Sequence, residues 1–120
     1  MTIGTGYADG MAMFTGVGLD YYSPHWYDYM SGGTYCMICQ DASYYQQLYG
    51  INKPIVVGEM FSGTSTTTPY SSAYRFDYFY NHGYAGAWAW SLFPSHTNDG
   101  LVIDLAAEGT FSAKHPNVGP

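Results

Sequence analysis

The stretch KPIVVGEMF, residues 53–61, carries the main structural signal of this chain. Pro54 opens a continuous apolar run that ends in Gly58 and Glu59, which is the pattern of a buried β-strand followed by a carboxylate. The sequence contains only two glutamates, Glu59 and Glu108. A carboxylate at the end of the most apolar run loses hydration, so Glu59 must be paired, protonated or used in chemistry.

The composition is poor in charged residues and rich in aromatic rings. Charged residues make up 10% of the 120 residues, against roughly 25% in ordinary soluble domains, whereas aromatic residues reach 19% and include 14 tyrosines. The length is typical of one domain with a single core. Because aromatic rings combine apolar faces with polar edges, such a surface suits either a wet protein interface or the faces of sugar rings. Both interpretations remain open at this point.

The charge balance excludes some classes of partner. The formal net charge is −6, so a polyanion such as nucleic acid is repelled. No apolar run approaches the roughly 18 residues of a membrane span, and the first residues lack a basic segment followed by an apolar one. We therefore expect a soluble chain with no nucleic-acid partner, no membrane span and no signal peptide.

Cys36 and Cys39 form a C-x-x-C pair in a glycine-containing stretch that is typical of a loop. A zinc site normally takes four ligands, and no second C-x-x-C or nearby histidine pair completes one. The spacing leaves a disulfide, a reactive thiol pair and unpaired loop thiols as alternatives. No metal site and no organic cofactor is predicted.

The pattern of apolar runs and turn residues predicts strands that alternate with helices. Strands are predicted within residues 2–6, 19–23, 54–59 and 84–93, and helices over residues 41–50 and 70–83. Residues 106–120 are predicted to be a polar tail. Strands separated by helices indicate parallel β/α units, so the expected fold class is α/β with about four parallel strands.

Polar and aromatic side chains follow the predicted strands at their carboxyl ends. In β/α folds those ends meet at one rim, where ligands bind. The residues that this rule brings together are Ser23, His25, Trp26, Tyr27, Glu59, Trp90 and Ser91.

Four segments together resemble a known family: TIGTG (2–6), LDYYSPHWY (19–27), KPIVVGEM (53–60) and GAWAWS (86–91). They are similar to strands five to eight of the retaining (β/α)8-barrel glycoside hydrolases, a clan that includes cellulases and β-mannanases. The resemblance covers about residues 1–105 and implies the carboxyl-terminal half of a TIM barrel.

The resemblance also implies roles for single residues. The clan commonly ends strand six in His-x-Tyr, strand seven in Gly-Glu and strand eight in Trp. Glu59 would then be the nucleophile, with Tyr27 orienting it, while His25, Trp26 and Trp90 would bind substrate. The implied substrate is a β-linked polysaccharide such as cellulose or mannan, the implied location is extracellular, and the chemistry needs no cofactor.

The sequence departs from the family pattern in three respects. A complete barrel needs about 250 residues, roughly twice the length of this chain. The acid/base glutamate of the clan follows an asparagine, and the dipeptide Asn-Glu does not occur here. Many members of the clan carry an arginine at strand three, whereas the only arginine of this sequence, Arg75, falls in a predicted helix. We therefore expect a half-barrel with little or no activity alone.

The remaining carboxylates give weaker candidates for the missing acid. Asp20 is predicted to be an interior hydrogen-bonding group and Asp28 a surface charge in a loop, while Glu108 lies in the polar tail, where nothing predicts a raised pKa.

Half a barrel has two open edges, which self-association into a homodimer or larger oligomer, or strand exchange, would cover. The alternatives to a hydrolase half-domain are a noncatalytic carbohydrate-binding or self-assembling half-barrel and an unrelated small α/β binding domain.

Overall fold

The structure is a computed structural model that describes residues 1–63, 69–91 and 103–118. Its strands form two parallel pairs: β1 (Gly4–Thr5) with β2 (Ser23–Pro24), and β3 (Val56–Phe61) with β4 (Gly86–Trp90). The α-helices are α1 (Ala42–Tyr49), α2 (Ser72–Asn81) and α3 (Leu105–Lys114), and short 3₁₀ helices span Ala8–Phe14, Gly33–Tyr35 and Met37–Cys39. Parallel strands alternating with helices confirm the predicted α/β class.

Two isolated bridges link the strand pairs through β2 and β3. Tyr22 bridges Ile55 and His25 bridges Glu59, both in parallel orientation. The N–H of Trp26 donates to the carbonyl of Glu59 at 2.9 Å, and the N–H of Val56 donates to the carbonyl of Tyr22 at 2.9 Å. The strands therefore follow one another in space in the order in which they occur along the chain, although β1–β2 and β3–β4 are two separate sheets.

The predicted strand bounds need adjustment at β2 and β4. β2 spans Ser23–Pro24, so it overlaps the predicted range 19–23 only at Ser23 and includes Pro24, which was predicted to lie beyond the strand end. Pro24 is tolerated because the adjacent bond is donated by the N–H of His25, to the carbonyl of Thr5 at 2.8 Å. β4 ends at Trp90, and the last two residues of its predicted range, 92–93, lie outside the described part of the chain.

Both predicted helices are present, and each ends or begins as its sequence indicates. α1 ends at Tyr49 and is followed by Gly50, whose left-handed φ of 63° suits glycine. α2 begins after Ser71, whose Oγ accepts a hydrogen bond from the N–H of Tyr74 at 3.2 Å. No helix within the described ranges is long and apolar enough to cross a membrane.

α3 was not predicted and occupies most of the expected polar tail. Asp104 caps it by accepting a hydrogen bond from the N–H of Ala107 at 3.0 Å. Phe111 packs against Phe76 of α2 with ring centroids 5.7 Å apart, and Lys114 bonds Asp77 of α2, which lowers the pKa of that carboxyl. The helix depends on this docking, which the local sequence does not reveal.

The C-x-x-C pair forms a disulfide between Cys36 and Cys39. The loop that it closes packs against the segment leading into β4. Tyr84 donates its hydroxyl to the carbonyls of Met37 at 3.0 Å and Gln40 at 2.9 Å. Burial raises the pKa of Tyr84, so this phenol remains a donor.

Arg75 and Asp28 form a buried ion pair, which corrects the prediction for Asp28, and the prediction for Asp20 is wrong as well. Asp28 is not a surface charge: its side chain is 5% exposed and accepts two bonds from the fully buried Arg75, at 3.2 and 2.6 Å. Arg75 also donates to the carbonyl of Gly63 at 3.3 Å. Asp20 is exposed beside the amino group of Met1 and is not an interior group.

We expect Asp28→Asn to destabilise the fold by about 3–5 kcal/mol, because it leaves the charge of Arg75 buried and uncompensated. The free energy of unfolding in urea measures the effect. The matched control is Lys114→Ala, which breaks an exposed pair and should cost no more than about 1 kcal/mol. Equal effects of the two substitutions would contradict the role of the buried pair.

Candidate functional site

His25, Tyr27 and Glu59 converge where β2 meets β3. The hydroxyl of Tyr27 donates to Oε2 of Glu59 at 2.5 Å, and Nδ1 of His25 lies 3.3 Å from the same oxygen. The side chains of His25 and Glu59 are 26% and 25% exposed. The carboxylate is thus held on one side by two groups while part of it still reaches solvent, as a reactive carboxylate requires.

Two glycines make room for the imidazole of His25. A Cβ on Gly4 of β1 would lie 3.1 Å from Nε2 of His25. A Cβ on Gly58 of β3 would lie 3.2 Å from Cδ2 of His25 and 2.3 Å from Oγ of Ser23. The strands on either side of β2 therefore approach it closely only because these two positions lack side chains.

A bulge in β3 directs Glu59 towards its neighbours. From Val57 to Met60 the strand advances three residues while the paired segment of β4 advances two. Val57 and Met60 are fully buried, while Gly58 and Glu59 between them are half-buried. The extra residue falls at Gly58–Glu59, and bulges commonly re-aim side chains beside functional sites. The one sequence signal for this bulge is Gly58, because a glycine inside a strand pattern often marks a bulge.

Aromatic rings pack around Tyr27, the residue that bonds the Glu59 carboxylate, at the ends of the strands. Phe61 packs on Tyr27 with centroids 4.7 Å apart, and Tyr29 stacks on Tyr27 at 5.6 Å with 9° between the planes. Trp90 pairs with Phe61 across the β3–β4 ladder and is 40% exposed. Phe61 and Tyr29 were not among the predicted site residues, although the spacing of Tyr27 and Tyr29 already indicates two side chains on one side.

Trp26 lies in the core and not in the site, which corrects its predicted role in substrate binding. Its side chain is fully buried, its Nε1 donates to the carbonyl of Met30 at 3.1 Å, and it packs edge-on against Phe79 of α2 at 5.9 Å. Successive residues of an extended segment point to opposite sides. Trp26 therefore turns towards the helices while its neighbours His25 and Tyr27 face Glu59.

A groove of about 600 Å³ lies elsewhere, between β4, α2 and α3. Its walls include Trp88, Phe111 and Glu108, and it includes none of His25, Tyr27, Glu59 or Trp90. Burial raises the pKa of Glu108, with a smaller contribution from Asp104, contrary to the expectation for a solvated tail. The mainly apolar walls suit packing better than chemistry, so we place the candidate site at Glu59.

No metal centre is found in the part of the chain that the structure describes. No three histidine, cysteine or carboxylate side chains there are grouped closely enough to hold an ion. The chemistry available at the cluster is that of one oriented carboxylate, one phenol and one imidazole.

Comparisons with known proteins find no relative. No protein-family model matches the chain, and no curated protein or solved structure matches it. The function therefore has to be inferred from the geometry around Glu59 and from the sequence motifs.

We expect Gly58→Ala to disrupt the site, because the new Cβ meets Ser23 at clash distance and pushes β2 away from β3. The cost should be about 1–3 kcal/mol in the free energy of unfolding. The control is Gly109→Ala in α3, where a Cβ meets nothing within 4 Å and helix propensity should raise stability by about 0.5–1 kcal/mol. A neutral Gly58→Ala would mean that the strands do not need this close approach.

Proposed function

We propose that the chain is the half of a retaining (β/α)8-barrel glycoside hydrolase that comprises strands five to eight and carries the nucleophile. The observation that carries the proposal is the bond from the hydroxyl of Tyr27 to Oε2 of Glu59, at 2.5 Å, beside His25. It joins the His-x-Tyr and Gly-Glu motifs, which are 32 residues apart, at a single carboxylate. The parallel strands in chain order support the barrel-like arrangement.

Retaining hydrolysis requires a carboxylate that attacks the anomeric carbon and an acid that protonates the departing oxygen, with about 5–5.5 Å between them. In this proposal an oxygen of Glu59 forms the bond to carbon as the glycosidic bond breaks, which gives a glycosyl ester and releases the protonated leaving group. Water then hydrolyses the ester. Tyr27 keeps the carboxylate aligned, which reduces the reorganisation needed for attack.

Two of the remaining predicted residues suit the binding of a sugar ring. Trp90 presents an indole that is 40% exposed next to Phe61, and apolar ring faces of this kind cover the CH groups of a β-linked sugar. His25 is partly exposed beside Glu59, where its imidazole can bond a sugar hydroxyl. We therefore propose cellulose, mannan or a related β-linked polysaccharide as the substrate class.

The acid/base residue is the part of the chemistry that this chain does not supply. Glu108, the other glutamate, lines the groove against β4, and that groove does not include the cluster around Glu59. Loss of a general acid typically lowers rates by on the order of 10²- to 10⁴-fold. We expect little or no hydrolysis of cellulose, mannan, xylan or lichenan by the chain alone, and robust turnover would contradict this assignment.

An extracellular location belongs to the same proposal. A polymeric substrate is degraded where the polymer is, and the disulfide between Cys36 and Cys39 is of a kind that persists in oxidising compartments.

We expect a 2-deoxy-2-fluoro glycosyl fluoride to label Glu59 covalently. Fluoride departs without protonation, so the reaction does not need the absent acid, and the 2-fluoro group slows hydrolysis of the ester. Intact-protein and peptide mass spectrometry should show one glycosyl group on Glu59.

Two variants make this labelling decisive. Glu59→Gln should abolish the adduct, whereas the control Glu108→Gln should leave it unchanged because that carboxyl lies in the separate groove. An adduct on Glu108, or no adduct with either gluco- or manno-configured reagents, would count against Glu59 as the nucleophile.

A self-assembling or carbohydrate-binding half-barrel is the second candidate, and the surface beside β4 favours it. Trp88 is 55% exposed on that strand and borders the apolar groove of about 600 Å³. A second copy that pairs its β1 with this β4 would cover the groove and produce a closed, two-fold barrel. Such pairing is the homo-oligomer that the sequence predicts.

Mass in solution tests the pairing. We expect a homodimer or larger oligomer by light scattering, and Trp88→Asp should convert it to monomers because it places a charge on the contact surface. The control is Tyr74→Asp, which places the same charge on an exposed ring of α2 outside the groove and should leave the mass unchanged. A wild-type monomer at high concentration would contradict self-completion.

A further inference from the structure

Exposed tyrosines extend from the Glu59 cluster towards the β1 side of the sheet. Tyr29 is 70% exposed and Tyr7 is 50% exposed. The ring of Tyr29 is supported underneath by Tyr27, on which it stacks, and the ring of Tyr7 is supported by Tyr35, which it meets at 5.4 Å. Large rings that are held in place and still face solvent are characteristic of recognition surfaces.

Tyr29 is connected to the nucleophile candidate through Tyr27. The ring of Tyr29 stacks on that of Tyr27, whose hydroxyl donates to Oε2 of Glu59. Tyr7 follows β1 and Tyr29 follows β2, and these two strands are paired, so both exposed tyrosines lie at the ends of adjacent strands. Partial burial, with a smaller contribution from the Glu59 carboxylate, raises the pKa of Tyr29.

The order of the strands gives this aromatic surface a direction. Tyr7 follows β1, Tyr27 and Tyr29 follow β2, Phe61 ends β3 and Trp90 ends β4. Because the strands are parallel, their carboxyl ends form one rim. Trp90 lies on the β4 side of Glu59, while Tyr29 and Tyr7 lie on the β1 side, so aromatic rings flank the carboxylate on both sides.

We propose that Tyr29 and Tyr7 form a second sugar-binding surface for a β-linked oligosaccharide. A neutral ring of the oligosaccharide binds there while its reacting ring lies between Glu59 and Trp90. This inference rests on the proposed function and specifies how much of the substrate is recognised. The cleft then binds an extended oligosaccharide along the rim, and not one terminal sugar.

The charges near these tyrosines select for a neutral sugar. Asp9 accepts a hydrogen bond from the hydroxyl of Tyr35 at 3.2 Å, next to the ring of Tyr7. A carboxylate at this position accepts bonds from sugar hydroxyls and repels uronic acids and sulfated sugars. A protein partner would also suit exposed tyrosines, but continuity with the Glu59 cluster favours a sugar.

Isothermal titration with oligosaccharides of two lengths tests the proposal. Cellopentaose and mannopentaose probe the whole rim, whereas cellobiose and mannobiose probe the part near Trp90. We expect Tyr29→Ala to weaken binding of the preferred pentasaccharide about 2- to 12-fold, the range of one aromatic contact, and to leave binding of the disaccharide unchanged. Tyr7→Ala should act in the same way.

The matched control is Tyr74→Ala. Tyr74 is 47% exposed and stacks on Tyr70 at 5.3 Å, as Tyr29 stacks on Tyr27, but it lies on α2. Tyr74→Ala should leave the binding of both the pentasaccharide and the disaccharide unchanged. Tyr29→Phe retains the ring and should bind within about twofold of wild type, which separates loss of a contact surface from loss of folding.

The outcomes distinguish this inference from the proposed function. If Trp90→Ala abolishes binding while Tyr29→Ala and Tyr7→Ala bind the pentasaccharide as wild type does, the second surface is refuted and the proposed function stands. If wild type binds none of the four oligosaccharides, both are refuted. If Tyr29→Ala only changes self-association, the surface is a protein interface and the inference is refuted.

Discussion

The close approach of β2 to β3 is the constraint on which the rest of the structure depends. The bond from Trp26 N–H to the Glu59 carbonyl and the two bridges between these strands join two small sheets that otherwise have no shared ladder. Gly58 permits the approach because any side chain there would collide with Ser23. The same contact brings together His25, Tyr27 and Glu59. The stability of the fold and the geometry of the candidate site therefore both depend on the contact between β2 and β3.

The few basic residues of this chain mostly form ion pairs between different parts of the fold. The chain has 3 lysines and arginines in total. Arg75 is buried against Asp28, where it holds the segment after β2 to α2, and Lys114 binds Asp77 across α2 and α3. Two of the three cations thus stabilise tertiary contacts. The outer surface is left acidic and aromatic, which suits a neutral, hydroxyl-rich ligand better than an anion.

The sequence was sufficient to predict the α/β class, α1, α2 and the meeting of Tyr27, His25 and Glu59. These features follow from local patterns: apolar runs, helix boundaries, and the rule that parallel strands end at one rim. The proposed barrel and the roles of single residues came from a family resemblance, and they remain proposals. The resemblance pointed to Glu59 as the nucleophile, and the contacts of Glu59 with Tyr27 and His25 support that proposal.

The wrong predictions concern features that depend on tertiary packing. Trp26 lies next to two site residues in sequence, but the alternation of the backbone turns it into the core. Asp28 lies in a loop, yet Arg75 reaches it from a helix 47 residues away. α3 forms because Phe111 and Lys114 find partners on α2. Gly58 is compatible with a bulge in β3, but only the pairing register with β4 locates it.

The shared contact of Tyr27 and His25 makes the two oxygens of the Glu59 carboxylate unequal. Both neighbours meet Oε2, and Oε1 receives neither of these contacts. Electron density on Oε2 is drawn towards the phenol proton, so its lone pairs are the poorer donors. In the proposed reaction, the bond to the sugar carbon would therefore form through Oε1, and this would fix the face from which the sugar ring approaches.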